Sequence, residues 1–336
     1  MNTGAVVLKW TTGLLAGLGL VLSACAQEQG HEENAQAQAF VDYMVAEHNF
    51  NRDELQLLMK DAKRKDSILK AIKRPAEKAK PWHEYRKIFI TNTRIAGGVE
   101  FWDKNADALK AAEEKYGVPP EMIVAIIGVE TRYGGNMGSY RVLDALSTLA
   151  FNYPRRSKFF TKELENYLLL TRDEKIDPTT LKGSYAGAMG FGQFMPSSYR
   201  HYAVDFNGDG RVDIWTDTED AIGSVANYFV EHGWKAGEPI TVITQPLPNA
   251  DMTIVNDDLK PKWTVGELEA KGFPTTAQVT KDMPANVFSL DAENGEQFWI
   301  GLNNFYTITR YNHSRLYAMA VYELGQEIIK ARGGRS

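Results

Sequence analysis

The segment "IVAIIGVETRYGG" spans residues 123–135 and carries one carboxyl, Glu130, at the end of a long apolar run. Two prolines precede this segment and two glycines end it, which predicts a helix from Pro119 to Tyr133. Three isoleucines share one face of that helix with Glu130, at the spacing i, i+3, i+4 and i+7. The other faces are also apolar, so we expect the helix to be buried in a mainly helical core.

Two interpretations of Glu130 follow from this position. Burial and the negative end of the helix dipole both favour the protonated form of a carboxyl there. A carboxylic acid that keeps its proton near neutral pH can serve as a general acid. The alternative is a structural carboxylate paired with Arg132, Arg141 or another cation, and the helix alone does not decide between the two.

The composition is that of a soluble globular protein. The 336 residues are 43% hydrophobic and 24% charged, enough for one large domain or two to three smaller ones. The formal net charge of −5 gives no electrostatic reason to expect binding to nucleic acid or to an anionic membrane surface.

Residues 1–24 have the pattern of a signal peptide, with an apolar segment too short and glycine-rich for a membrane span. The segment ends in small residues before Cys25, the only cysteine. This arrangement resembles the bacterial lipobox and predicts lipid attachment at Cys25; an ordinary secretory signal is the alternative. Ala26 follows instead of an aspartate, which implies the periplasmic face of the outer membrane. Residues 25–39 are polar and predict a lipidated, flexible tether.

The rest of the chain is predicted as helical with one late β-containing insert. We expect a helical domain at 40–100, completed by 313–332, a catalytic core at 101–234, a small α+β subdomain at 235–300, and a return segment with the C-terminal helix at 301–336. Within these, the pattern predicts one long helix, "VEFWDKNADALKAAEEKYG", closed by Gly117. Asn51 should cap a helix, and Asn294-Gly295 should mark a β-hairpin. The C-terminal helix must dock on something already folded, for which the N-terminal helical region is the expected partner.

A second segment, "GSYAGAMGFGQFMPSSY" at residues 183–199, is punctuated by glycines at 187, 190 and 192. Glycines at this spacing allow the backbone to approach a ligand closely. Ser184 and Gln193 supply neutral donors and acceptors suited to sugar hydroxyls and acetamides. As a bare pattern the segment is weak evidence, because many glycine-rich turns look similar.

Together the two segments resemble those of the lytic murein transglycosylases, most closely the membrane-bound type B group. The resemblance includes "LSTLAFNYPRR", "YAVDFNGDGRVDIW", "DAIGSVANYFVEHGW" and "NNFYTITRYNHSRLYAMAV", so it covers nearly the whole mature chain. It implies a mainly α fold: a goose-lysozyme-like helical core with an additional helical domain and a small β-containing subdomain. It also implies that peptidoglycan glycan strands are the substrate and that catalysis needs no cofactor.

In that family the glutamate matching Glu130 is the sole catalytic carboxylate. It would protonate the β-1,4 glycosidic oxygen between N-acetylmuramic acid and N-acetylglucosamine, then take the proton of the muramoyl C6 hydroxyl, leaving a 1,6-anhydro end. The resemblance implies that further residues line the cleft: Ser184, Gln193, Tyr228, Tyr311, and more weakly Asn312 and Tyr317. Arg155 and Arg156 would meet stem-peptide carboxylates. The aromatic residues could instead be core residues.

Two other functions stay open at this point. A hydrolytic lysozyme would use the same acid with water as acceptor, and a wall-binding lipoprotein would keep the groove without the chemistry. The sequence also leaves open whether cell-wall synthesis or regulatory proteins bind this chain.

The acidic segment "DFNGDGRVDIW" fits the start of an EF-hand loop over 205–220 and predicts a structural Ca²⁺ site. The expected ligands are Asp205, Asn207, Asp209, the Arg211 carbonyl and Asp213. Position 12 is Thr216 where a bidentate Glu belongs, so a later carboxylate must replace it. Glu219 and Asp220 are both candidates, and a solvated turn without metal is the alternative.

Overall fold

The computed structural model describes residues 30–31, 33–73, 80–276 and 279–334. The predicted signal peptide, Cys25 and the first part of the tether lie outside these ranges. Across the described ranges, no helix combines the length and the apolar character needed to cross a membrane.

Most of the described chain is helical. The helices are α1 (Ala35–His48), α2 (Arg52–Asp61), α3 (Asp66–Lys73), α4 (Trp82–Phe89), α5 (Asn92–Lys104), α6 (Ala106–Tyr116), α7 (Pro120–Thr131), α8 (Val142–Asn152), α9 (Ser157–Asp173), α10 (Pro196–Tyr202), α11 (Thr218–Glu231), α12 (Val265–Ala270), α13 (Asn303–Tyr311) and α14 (Arg315–Arg332). The strands are β1 (Tyr140–Arg141), β2 (Lys182–Gly183), β3 (Thr241–Thr244), β4 (Trp263–Thr264), β5 (Pro284–Ala292) and β6 (Gly295–Leu302). Short 3-10 turns occur at Pro154–Arg156 and Met252–Ile254.

Helix α7, which carries Glu130, forms the centre of the larger apolar cluster. Every residue of α7 except Glu130 is buried, including Ile123, Ile126 and Ile127. The cluster also takes side chains from α4, α5, α6, α11, α13 and α14. The expectation of a buried helix in a mainly helical core is confirmed.

A second apolar cluster joins α1, α2 and α3 to α8, α9 and α10. The C-terminal helix α14 packs along α4 and α5, which lie mostly in the N-terminal helical region expected as its partner, and also along α7. It therefore covers the helix that carries Glu130. The domain boundaries drawn from the sequence remain a prediction.

The long helix expected to close at Gly117 is two helices, so that prediction is wrong in its middle. Asn105 leaves helical geometry at φ −118° and ψ 28°. Its Nδ2 donates to the carbonyl oxygen of Phe101 at 2.7 Å, and its Oδ1 accepts from the Thr218 hydroxyl at 2.7 Å. An Asn side chain that binds backbone competes with the helix, which ends α5 and lets α6 start at a new angle. Gly117 does end α6, at φ +66°.

The flexible tether predicted over residues 25–39 extends too far toward the C-terminus, because its last residues belong to a helix. Helix α1 begins at Ala35, capped by the Asn34 side chain, which accepts from the amides of Gln36 and Ala37. Ala37 is buried, and the buried ring of His31 meets Phe151 edge-on at 5.2 Å. Ala37 and His31 therefore order the start of this polar segment by docking on the helical body.

The β-containing subdomain has an antiparallel sheet in the order β3-β6-β5-β4. Strands β5 and β6 form the predicted hairpin, in which Ala292 pairs with Gly295 and the two loop residues are Glu293 and Asn294. Gly295 has φ +108°, which favours glycine. The short helix α12 follows a capping box at Thr264. Strand β5 also contacts α4, so the hairpin rests on the helical body.

Candidate active site

Glu130 lies one residue before the end of α7, and it is half-buried while its neighbours on the helix are buried. Arg132 ends the helix in the left-handed region at φ 53°, and its exposed side chain leaves the helix there. Arg141, the second cation considered as a structural partner, pairs with Asp61 at 2.6 Å and with Asp144 at 3.3 Å.

Thr131, next to Glu130, connects α7 to the glycine-rich segment. Its buried hydroxyl lies 2.9 Å from the carbonyl oxygen of Phe191 and 3.1 Å from that of Ile127, and it accepts from the amide of Gly134 at 3.0 Å. The end of α7 and the glycine-rich backbone are thus fixed to each other beside the carboxyl.

The glycine-rich segment forms a tight turn that only its sequence allows. Met189 and Phe194 exchange two backbone hydrogen bonds of 2.9 Å, with Gly190 at φ +68° and Gln193 at φ 51° between them. The Tyr311 hydroxyl donates to the carbonyl oxygen of Gly192 at 2.6 Å. A Cβ at Gly192 would lie 2.7 Å from that hydroxyl, so the close approach requires glycine.

Glu130 faces a cavity of about 150 Å³ between α7, this turn, α11 and α13. Four of the predicted site residues line it with Glu130: Gln193, Tyr228, Tyr311 and Asn312. Phe194, Met195 and Ser198 complete the lining. These three residues belong to the glycine-rich segment but have no local sequence signal, because only their placement relative to Glu130 distinguishes them.

Tyr317, the weakest of the sequence candidates, contacts Glu130 directly. Its hydroxyl donates to Oε1 of Glu130 at 2.5 Å from the first turns of α14. Burial, together with the nearby charge of Glu130, raises the pKa of both Tyr317 and Tyr311 well above the usual range for tyrosine. Both phenols therefore stay neutral donors at physiological pH.

Tyr228 is held by its surroundings. Its hydroxyl donates to the carbonyl oxygen of Arg310 at 2.7 Å, and its ring stacks on His232 with centroids 4.0 Å apart. The Tyr311 ring packs against the Tyr228 ring with centroids 4.7 Å apart. Burial raises the pKa of Tyr228, so its phenol stays uncharged.

Besides Tyr317, which contacts Glu130 directly, three predicted site residues lie outside the lining of this cavity. The Ser184 hydroxyl oxygen accepts from the amides of Ala186 and Ala188, so it stabilises the turn before the glycines. Arg155 and Arg156 are exposed on the 3-10 turn between α8 and α9, where the Arg156 guanidinium lies 4.1 Å from the centre of the Phe159 ring.

The acidic loop is organised around two aspartates. The Asp205 carboxylate accepts from the amides of Gly208, Asp209 and Gly210, and Gly210 has φ +87°. Buried Asp220 accepts from the amides of Phe206, Asn207 and Asp213. Burial raises the pKa of Asp220, although these three hydrogen bonds oppose the shift.

The two candidates for the last calcium ligand point to different places. Asp220 lies inside the loop, whereas exposed Glu219 lines a separate cavity with Asp103 and Asp107. Within the part of the chain that the structure describes, no three His, Cys, Asp or Glu side chains are grouped closely enough to hold a metal ion.

Comparisons with known proteins agree with this fold. The family model described as the transglycosylase SLT domain matches residues 32–326. The chain is 50% identical over 308 residues to membrane-bound lytic murein transglycosylase B of Escherichia coli K12, covering 89% of this chain and 84% of the relative. Among solved structures, the catenated lytic transglycosylase SltB1 of Pseudomonas aeruginosa has a TM-score of 0.87 and 51% identity, covering 90% of this chain and all of the other.

A third similar protein is the Escherichia coli lytic transglycosylase Slt35, solved in complex with calcium, with a TM-score of 0.83 and 48% identity over 93% of this chain and 98% of the other. The chain belongs to the transglycosylase SLT domain family. It is an enzyme with a mainly α, lysozyme-like fold and a small β subdomain, so the resemblance stated from the sequence is confirmed.

Proposed function

We propose that this enzyme is a lytic murein transglycosylase in which Glu130 cleaves the β-1,4 bond between N-acetylmuramic acid and N-acetylglucosamine. One observation carries the proposal: Glu130 is the one carboxylate among the residues lining its cavity. Hydrolytic glycosidases of the usual kind need a second carboxylate as nucleophile or as base.

The proposed reaction uses the substrate in place of that second group. Glu130 gives its proton to the glycosidic oxygen, and the N-acetylglucosamine leaves as an alcohol. The resulting carboxylate takes the proton of the muramoyl C6 hydroxyl, whose oxygen bonds to the anomeric carbon and gives a 1,6-anhydro ring. No water is consumed, and Glu130 ends in the protonated state in which it began.

The surroundings of Glu130 suit this chemistry. The Tyr317 hydroxyl donates to Oε1 of Glu130 and orients the carboxyl. The amides of Gln193 and Asn312 offer neutral donors and acceptors for sugar hydroxyls and acetamides. Tyr228 and Tyr311 supply the aromatic wall. We assign Ser184 a supporting role in the turn and keep Arg155 and Arg156 as a proposed contact for stem-peptide carboxylates.

We also propose a structural Ca²⁺ in the acidic loop, and the similar Slt35 was solved in complex with calcium. Three loop amides already converge on Asp205, and Gly210 makes the sharp turn that such a loop needs. The proposed ligands are Asp205, Asn207, Asp209, the Arg211 carbonyl and Asp213. The Asp220 carboxylate would anchor the loop by accepting hydrogen bonds from the loop's backbone amides, while Glu219 lines a separate cavity.

The proposed location is the bacterial cell envelope. The Escherichia coli relative is named as a membrane-bound lytic murein transglycosylase. We propose lipid attachment at Cys25 and anchoring to the periplasmic face of the outer membrane. Acyl labelling of the wild type and of Cys25→Ala tests this, because only the wild type should take up the label. Binding to cell-wall synthesis or regulatory proteins stays a proposal.

The decisive experiment is digestion of purified sacculi followed by mass analysis of the muropeptides. We expect 1,6-anhydro ends, one water lighter than reducing ends, from the wild type. Glu130→Gln should be inactive, while Glu231→Gln, which alters an exposed carboxyl at the end of α11, should keep full activity. Reducing ends alone would establish a hydrolytic lysozyme instead, and a fully active Glu130→Gln would remove Glu130 from the mechanism.

A further inference from the structure

A second cavity, of about 420 Å³, lies between α4, the tip of the β5–β6 hairpin and α14. We call it the hairpin pocket. Trp82, Asn294, Gln297 and Trp299 are among its lining residues. Its volume is within the range of about 300–1,000 Å³ typical of small-molecule sites. None of its lining residues belongs to the cavity at Glu130.

The charges in the hairpin pocket cancel. Arg86 pairs with Glu323, Nε to Oε2, at 2.5 Å, and Lys87 pairs with Glu293 at 2.7 Å. The cations and carboxylates of the lining are thus matched one to one. Such a pocket offers little net attraction to an ion and favours a neutral polar ligand.

The remaining lining residues are Trp82, His83, Ala292, Asn294, Gln297 and Trp299. The Nε1 of Trp299 is enclosed and has no hydrogen-bond acceptor among the described residues, so this indole offers a ligand only its apolar surface. Asn294 and Gln297 are exposed at the mouth, where their amides can both donate and accept. A ligand with apolar faces and neutral hydroxyl or acetamide oxygens would match the Trp299 indole and these two amides.

We propose that the hairpin pocket is an accessory binding site for an uncharged N-acetylhexosamine unit of a glycan strand. The inference rests on the proposed function only in that such strands are the substrate. Tyr317 at the catalytic carboxyl and Glu323 in the pocket lie on the same helix, about 9 Å apart along its axis at 1.5 Å per residue. The pocket would hold a strand while the cavity at Glu130 cuts it.

The first test measures retention on the natural polymer. In the mature Glu130→Gln protein, which keeps the sacculi intact, Asn294→Ala with Gln297→Ala should weaken sedimentation with purified sacculi about five- to tenfold, the effect of two lost hydrogen bonds. Gln245→Ala with Asn249→Ala is the matched control, because both amides are exposed on the same subdomain outside the pocket. Equal binding by the two double variants would overturn the proposal.

The second test reports on the pocket itself. In ¹⁵N-tryptophan-labelled Glu130→Gln protein, chitotetraose should shift the indole N–H resonance that Trp299→Phe removes. If the Trp299 resonance does not shift at saturating chitotetraose, the sugar does not enter the hairpin pocket and the proposal is overturned. Neither result depends on the product of cleavage, so anhydro ends from the wild type with an unmoved Trp299 would defeat this inference alone.

Discussion

The hydroxyl of Tyr317 donates to Oε1 of Glu130 at 2.5 Å, although the two residues are 187 positions apart in the chain. Helix α7 presents the carboxyl, and α14 orients it while covering the same helix with apolar side chains. The geometry of the catalytic group therefore depends on the packing of these two helices.

Removing this donor should slow catalysis. Glu130 becomes a charged carboxylate when it gives up its proton, and a hydrogen bond to a charged group contributes about 1.5–3 kcal/mol. Tyr317→Phe should therefore lower kcat on sacculi about 10- to 100-fold with a smaller change in KM. Tyr322→Phe is the control and should stay close to wild type, because it removes a hydroxyl from the same helix while the Tyr317 contact with Glu130 is kept. Unchanged kcat in Tyr317→Phe would contradict a positioning role.

The close approach of Gly192 and Tyr311 gives a second prediction. In Gly192→Ala the new methyl would lie 2.7 Å from the Tyr311 hydroxyl and would push the ring or the turn aside. We expect activity to fall about tenfold or more, because small displacements of positioning groups are costly. Gly135→Ala is the control: its Cβ would meet only the Arg132 carbonyl at 3.2 Å and the Thr131 carbonyl at 3.9 Å. Equal activities would show that the contact is dispensable.

Calcium should raise the thermal stability of the wild type. At a free concentration 100 times Kd a ligand adds about 2.7 kcal/mol, which corresponds to about 5 °C in Tm for a protein of this size. Asp209→Ala should lose most of this increase, since it removes a proposed ligand. Glu219→Ala should keep it, because Glu219 faces another cavity. Calorimetry with calcium and then with a chelator checks all three proteins, and a lost response in Glu219→Ala would reverse the assignment.

Asp144 should make stability depend on pH. Burial raises the pKa of its carboxyl, although the Lys63 amide and the charges of Arg141 and Lys65 oppose the shift. Because the pKa of Asp144 is higher in the folded than in the unfolded chain, its full contribution to the free energy of unfolding is present at pH values below the unfolded-state pKa. That contribution is lost as the pH rises through the folded-state pKa. Asp144→Asn should therefore gain in free energy of unfolding, relative to wild type, between pH 3 and pH 7. Urea titrations at both pH values test this, and a constant or falling difference would contradict it.

Local sequence patterns predicted the elements whose causes are local. The apolar period placed α7, Gly117 ended α6, and Asn51 capped α2 by accepting from the amides of Asp53 and Glu54. Asn105 escaped prediction because its partner, Thr218, lies on a distant helix. The start of α1 escaped for the same reason, since Ala37 is ordered by the helices on which it docks.

The candidate site shows the same division. Glu130 and the glycine-rich turn were visible in continuous segments of sequence, whereas no local period could connect Tyr317 to Glu130. Ser184 and Gln193 belong to one motif, yet the Ser184 hydroxyl binds its own turn while Gln193 lines the cavity. Spacing identifies the segment, and only the tertiary fold assigns a direction to each side chain.

The position of α14 at the end of the described chain has a consequence for the order of synthesis. A nascent chain that stops before Arg315 lacks both the hydroxyl that orients Glu130 and the apolar cover of α7. Chains that stop before α14 should therefore be inert toward the wall, and the cutting activity should appear only when α14 has been made and has packed.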